Sequence, residues 1–216
     1  MNKRFDFDSR YLLKGAKFLI GADEAGRGPG AGPVFAAAVC FPYLNDEIKQ
    51  QLENLNDSKQ LTEKAREELF EIIAANSIYS VNQGSIENIE RLNILKTSLL
   101  TMKKCIEETA LKLQSEAITV LIDGNKKAPD LKYRQEALVK GDFKSASIAA
   151  ASIIAKVSRD RFMLELHKEF PQYGWDKNKG YITKQHIEAV QKYGFTKWHR
   201  RSFFESVLQT QLKLGI

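Results

Sequence analysis

The chain has 216 residues, 43% of them hydrophobic, and carries 33 lysines and arginines against 27 aspartates and glutamates, a formal charge of +6. That length and apolar content can bury a sizeable core, and the mild basic excess suits a polyanionic partner without identifying one. No apolar run approaches the ~18 residues needed to span a bilayer, Met1 to Asp8 lacks an apolar leader, and Cys40 and Cys105 have no CxxC spacing. The expectation is a compact cytoplasmic protein with no membrane segment, disulfide scaffold or zinc site.

Lys17 to Gly21 reads as a short buried strand ending at the acids Asp23 and Glu24, and Val34 to Phe41 as a second strand. The glycine- and proline-rich connection between them is too irregular for either element. Asn56 to Leu61 is a polar loop, after which Thr62 caps a helix to about Asn76 with Leu69, Phe70, Ile72 and Ile73 on its buried side. Ser77 to Ser85 is a candidate third strand. Leu92, Leu95, Leu99, Met102, Ile106, Ala110 and Leu113 recur at three- and four-residue steps and mark one long amphipathic helix.

Ala117 to Asp123 is a β-rich run that again ends in a carboxylate, and a weaker strand, Glu136 to Lys140, leads to Gly141-Asp142. Ser145 to Ala155 is helical and rich in small residues, which permits close approach of another backbone. Phe170 to Tyr181 is a basic, aromatic loop. Thr183 caps a short helix stopped by Gly194, and Ser202 with Glu205 has capping-box spacing for a final helix. Strands followed by helices and then a helical tail predict an α/β class: a mixed sheet flanked by helices, with a C-terminal helical extension.

The stretch Gly21-Ala-Asp-Glu-Ala-Gly-Arg-Gly-Pro29 joins two carboxylates to a glycine turn bearing an arginine. Asp123 and Asp142 repeat the placement of an acid at the end of an apolar segment. Each has a simpler alternative, Asp123 as a turn residue before Gly124 and Asp142 as a helix cap. Gathered at one sheet edge, they repel, by about 4 kcal/mol per pair at ~4 Å and an effective dielectric of ~20. Such a cluster takes up protons or cations. Carboxylates without histidine or cysteine favour hard ions, Mg²⁺ or Mn²⁺, which recruit phosphate oxygens, and two such ions suit phosphodiester hydrolysis.

The sequence resembles the ribonuclease HII (type 2 ribonuclease H) family. The likeness runs through Asp23-Glu-Ala-Gly-Arg-Gly-Pro29, Asn56-Asp-Ser-Lys59 with Leu61, Arg91-Leu-Asn-Ile94, Ile122-Asp-Gly124 and Lys140-Gly-Asp142. It continues through Ala149 to Lys156, Arg159-Asp160, Lys179-Gly-Tyr181 and His199-Arg200, in the family's order from about residue 17 to 207.

The resemblance implies a ribonuclease H-like fold, with a core over about 17–165 and a helical extension over about 166–216 in one catalytic unit. It implies hydrolysis of the phosphodiester 5′ of a ribonucleotide in duplex DNA, and of the RNA strand of RNA–DNA hybrids, leaving 3′-hydroxyl and 5′-phosphate ends. By the same resemblance Asp23, Glu24, Asp123 and Asp142 hold two Mg²⁺ or Mn²⁺ ions. Gly26, Arg27 and Gly28 sense the ribose 2′-hydroxyl, Tyr181 packs on the following sugar, and Lys59 lies beside the substrate strand.

Lys140, Lys144, Lys156, Lys177 and Lys179 are further candidates for phosphate contact. Gly30, Asn178 and Ile182 depart from the family pattern, which often has a larger residue, a histidine and a small residue or proline there. The tail Gln209 to Ile216 lacks the paired aromatics of a sliding-clamp peptide, and a monomer is the expected state. The alternatives are a non-catalytic hybrid-binding protein on the same scaffold, for which four retained acids have no use, and a related nuclease indifferent to the 2′-hydroxyl.

Overall fold

The computed structural model describes residues 3–56 and 58–205. Among them five strands form one mixed sheet: β1 (Phe18–Ala25), β2 (Val34–Cys40), β3 (Ile78–Gly84), β4 (Ile118–Asp123) and β5 (Arg134–Leu138), in the spatial order β3-β2-β1-β4-β5. β1, β2 and β3 pair antiparallel, whereas β4 runs parallel to both β1 and β5. The helices, in chain order, are α1 (Lys3–Leu13), α2 (Asp46–Gln51), α3 (Glu63–Asn76), α4 (Ile86–Leu92), α5 (Ile94–Leu113), α6 (Gly141–Lys144), α7 (Ala146–Glu169), α8 (Trp175–Asn178) and α9 (Lys184–Tyr193).

Period-2 alternation divides each strand between two helical layers. Ile20, Ala22, Ala36, Ala38, Val120 and Ile122 face α5, where Met102, Cys105, Ile106 and Ala110 complete one buried cluster. Leu19, Leu121 and Leu138 meet Ile148 of α7 on the opposite face. The alanine-rich start of α7, with Phe5 of α1 and Leu69 and Ile73 of α3, fills the rest of that layer. The small residues do allow close approach: at Gly21 a Cβ would collide with the Ser147 backbone. Cys40 and Cys105 are buried free thiols, pushed up to about 12 by burial. No described helix is long and apolar enough to cross a membrane.

Several boundaries differ from the sequence reading. β1 does not stop at Gly21 but runs through both acids, because Asp23 and Glu24 still pair with Ala37 and Ala36 of β2. The long amphipathic helix begins at Ile94: Asn93, at φ 70°, ends α4, and its Oδ1 accepts from the Lys96 amide at 3.0 Å to cap α5. β5 starts two residues earlier than Glu136, and α7 extends well past Ala155. Short helical turns interrupt the loop from Phe170 to Tyr181. Ser202 lies inside a helical turn at 201–205 and donates its hydroxyl to Glu90 at 3.1 Å, so it is not an N-cap. The rest of the expected final helix falls outside the described residues.

Sequence reading missed α1 altogether. It is amphipathic but of low mean hydropathy, and it buries Phe5 and Asp8. Asp8 Oδ2 accepts from both the amide and the hydroxyl of Ser147 at 2.8 Å, placing a carboxylate at the N-terminus of α7.

Candidate active site

The parallel register Ala22↔Ile122 makes Asp23 and Asp123 the next residues on neighbouring strands, both turned toward α7. Asp23 is buried, Ser152 of α7 stands beside it, and its Oδ1 accepts from the Glu24 amide at 2.7 Å. Burial raises its pKa well above the usual carboxylate range, and the charges of Glu24 and Asp123 raise it further. Glu24, one residue on, projects from the opposite face of β1 toward Leu95, Ser98 and Leu99 of α5. Burial raises Glu24 too, while Arg27, 3.3 Å away, partly offsets the rise.

Asp142 reaches the same end of the sheet from α6. The amide of the preceding Gly141 donates to Asp123 Oδ1 at 2.7 Å, fastening this corner to the tip of β4. Asp142 Oδ1 accepts from the Phe143 amide at 3.0 Å, but Ser145, not Asp142, caps α7. Arg4 of α1 holds the corner from outside, donating Nε to the Asp142 carbonyl at 2.9 Å and Nη2 to Asn56 Oδ1.

The four acids thus surround the C-terminal ends of β1 and β4. Among the described residues no three acidic, histidine or cysteine side chains stand close enough together to hold a metal ion between them. The donor set nevertheless fits a hard cation: two buried carboxylates are held at raised pKa, and neither imidazole nor thiolate competes.

The glycine turn is built by two buried arginines that pair with backbone carbonyls. Arg200 donates to the carbonyls of Gly32 (2.9 Å), Arg27 (3.1 Å) and Gly26 (2.7 Å). Arg159 donates to Pro33 (3.2 Å), Ala31 (3.0 Å) and Lys179 (3.0 Å). Burial lowers Arg200 to about 9 and Arg159 to about 10, which leaves both charged at neutral pH. In a trans peptide the carbonyl of one residue and the amide of the next point oppositely. With the Gly26 and Arg27 carbonyls turned onto Arg200, the amides of Arg27 and Gly28 face away from it as free-facing donors at the turn's outer surface. Gly26 also sits at φ 93°, a left-handed conformation that favours glycine.

Tyr181 is 51% exposed, and its ring lies 3.6 Å from where a Gly28 Cβ would stand. Asn178 closes the turn leading to it, donating to the Tyr173 carbonyl at 2.7 Å and accepting from the Gly180 amide at 2.8 Å. Gly30 and Ile182 share one packing space. A Cβ on Gly30 would come within 2.5 Å of Ile182 Cγ1, so the bulk missing at 30 is supplied from 182.

Lys59 is exposed on a single 3₁₀ turn whose neighbour Ser58 shares a 2.9 Å hydroxyl contact with Ser152, the residue beside Asp23. Lys156, in contrast, is occupied by Asp160 at 2.7 Å. Arg4, Ser152, and the supporting roles of Arg159 and Arg200 were missed in the sequence. The available signal was the motif likeness over Ala149 to Lys156, which includes Ser152, and at Arg159 and His199-Arg200, and it says nothing of which groups these residues contact.

Known proteins resemble this chain in sequence and share its fold. The model of the family Ribonuclease HII matches residues 20–206. Ribonuclease HII of Pelagibacter ubique is 54% identical over 188 residues, 87% of this chain and 96% of that protein. Ribonuclease HII of Caldicellulosiruptor bescii is 48% identical over 205 residues, 94% and 95% of the two chains. A solved structure of the PCNA:RNase HII complex from Archaeoglobus fulgidus superposes with a TM-score of 0.68 at 29% identity, covering 85% of this chain and 93% of that one. The chain belongs to the ribonuclease HII family, and its fold is that of the ribonuclease H enzymes.

Proposed function

We propose that this ribonuclease HII family member is an endoribonuclease that hydrolyses the phosphodiester 5′ of a ribonucleotide embedded in duplex DNA, and the RNA strand of RNA–DNA hybrids, leaving 3′-hydroxyl and 5′-phosphate ends. Its biological task would be ribonucleotide removal from DNA, a repair reaction in the cytoplasm. The observation that carries this reading is the adjacency of two devices along Asp23 to Gly28: buried, mutually repelling carboxylates followed at once by an arginine-clamped turn.

Asp23, Glu24, Asp123 and Asp142 would hold two divalent ions, Mg²⁺ or Mn²⁺. When bound, such ions lower the pKa of an attacking water and stabilise a departing oxygen. The remaining work belongs to the chain. The Arg27 and Gly28 amides offer donors to a 2′-hydroxyl, and glycine admits a sugar close to the backbone. Tyr181 presents its ring as a platform for the next sugar. Lys59 meets the strand's phosphates, and Gly141 keeps one Asp123 oxygen occupied so that the other stays aimed outward.

The catalytic unit proposed is the whole chain, with the core over about 17–165 and the extension over about 166–216, acting as a monomer. The Archaeoglobus relative is known in a PCNA complex. The tail Gln209 to Ile216 carries no paired aromatics and lies outside the described residues, so no such docking is proposed for this chain.

The test compares two labelled duplexes incubated with Mg²⁺, one with a single embedded ribonucleotide and one all-DNA. A single nick 5′ of the ribonucleotide and none in the all-DNA duplex is the expected result. Cleavage of both would instead indicate a nuclease indifferent to the 2′-hydroxyl, and binding without cleavage a hybrid-binding protein.

A further inference from the structure

Two histidines that the reaction does not use lie behind Tyr181, fully enclosed. His186 and His199 are 0% and 2% exposed, and their Nε2 atoms stand 3.1 Å apart. Tyr173, Trp175, Phe195 and Phe204 surround them. Neighbouring donors fix the direction of every hydrogen bond in the pair. His199 Nδ1 faces the Thr196 amide at 2.9 Å, which can only donate, so Nδ1 is bare and the ring proton sits on Nε2. His186 Nε2 faces the Trp175 indole N–H at 3.2 Å, also only a donor, so His186 carries its proton on Nδ1. That Nδ1 points at the Tyr181 carbonyl at 2.9 Å.

The polarity is therefore set along the whole line: Thr196 donates to His199, His199 shares the single bare Nε2 of His186 with the Trp175 indole, and His186 donates to Tyr181. Any added proton would confront a fixed donor. Burial accordingly lowers both imidazoles, His199 to about 4, which keeps them neutral at pH 7. The Tyr181 carbonyl also accepts from the Thr183 amide at 2.9 Å, so its two lone pairs are both engaged and the backbone under the ring is pinned from two directions.

We propose that His199 and His186 are positioning residues that, through this one-way relay, fix the backbone of Tyr181 and so set its ring against the Gly28 turn for reading the substrate sugar. The inference rests on the assignment of Tyr181 as a substrate contact. It makes the discrimination of the sugar depend on a buried network that never touches nucleic acid.

The experiment is a double-mutant cycle on kcat/KM with the single-ribonucleotide duplex. His186→Phe keeps the aromatic volume and is expected to lower kcat/KM about three- to tenfold, the worth of one buried hydrogen bond. His186→Asn, which retains a donor near the Nδ1 position, should recover most of the loss. In a Tyr181→Ala background, His186→Phe should have no further effect, because the ring it positions is gone. A full additive loss there would mean a general structural role and overturn the proposal. If Tyr181→Ala lowers kcat/KM but His186→Phe does not, the relay alone is wrong. If Tyr181→Ala is itself silent, the substrate role of Tyr181 fails and the relay's role falls with it. Imidazole ¹⁵N shifts of the unsubstituted protein give a check independent of folding. They should show the proton on Nδ1 of His186 and on Nε2 of His199 at pH 7, and any other pattern contradicts the relay.

Discussion

Asp23 and Arg200 are both buried and both ionisable, yet their surroundings are opposite. Arg200 turns its fork onto three backbone carbonyls, and Arg159 does the same a few ångströms along the loop. Asp23 meets two more carboxylates, which, with burial, hold its proton affinity high. The first arrangement has its hydrogen bonds made before any ligand arrives, so the glycine turn needs no reordering on binding. The second is a standing repulsion that a cation would relieve. A turn whose carbonyls are already hydrogen-bonded and a frustrated cluster of acids thus sit within five residues of each other, between Asp23 and Gly28.

Removing the clamp should produce the largest loss. Arg200→Met leaves the carbonyls of Gly26, Arg27 and Gly32 without their donor and should destabilise the fold by about 3–5 kcal/mol. At about 2–4 °C per kcal/mol for a chain of this size, the melting temperature should drop by about 10 °C. Arg200→Lys, which keeps the charge but not the fork, should recover only a minor part. Full recovery by lysine would mean that charge, not the carbonyl geometry, is what the site uses.

A smaller effect probes the packing beside the clamp. Gly30→Ala should cost about 1–3 kcal/mol by overpacking against Ile182 and Phe204. Adding Ile182→Ala should return part of that stability in a melting experiment, since the two positions share one space. Independent, additive losses would show that the pair does not compensate.

What was legible in the sequence divides along the same line. The acids stood out because strand-like apolar runs led to them at Asp23 and Asp123, and periodicity located the strands and α5. The extent of β1 was not legible, since glycine and charge after Gly21 look like a strand's end until β2 supplies ladder partners for Asp23 and Glu24. Asn93 looked like one more residue within a continuous helix, because its positive φ and its cap of Lys96 leave the three-to-four spacing undisturbed. The clamp was hidden because all its partners but the Lys179 carbonyl are backbone carbonyls 126 to 174 residues away, and a carbonyl has no letter in the sequence. Arg4 and α1 were hidden because the helix is short and mostly polar, and one of its two buried anchors, Asp8, is a charged residue type.

The central contrast is tested most directly by the thermal unfolding of Asp23→Asn at pH 7 with no divalent ion present. Asparagine keeps the shape of the side chain and removes the ionisable group. A carboxylate whose folded pKa is raised weakens the fold above its unfolded pKa, and this weakening fades as pH falls from the folded value to the unfolded one, so the neutral variant should gain stability at pH 7. The expected result is a melting temperature a few degrees above that of the unsubstituted protein, together with loss of cleavage of the ribonucleotide-bearing duplex. A lower melting temperature, or cleavage at a near-normal rate, would contradict the view that Asp23 is held at a cost to stability for the sake of the reaction.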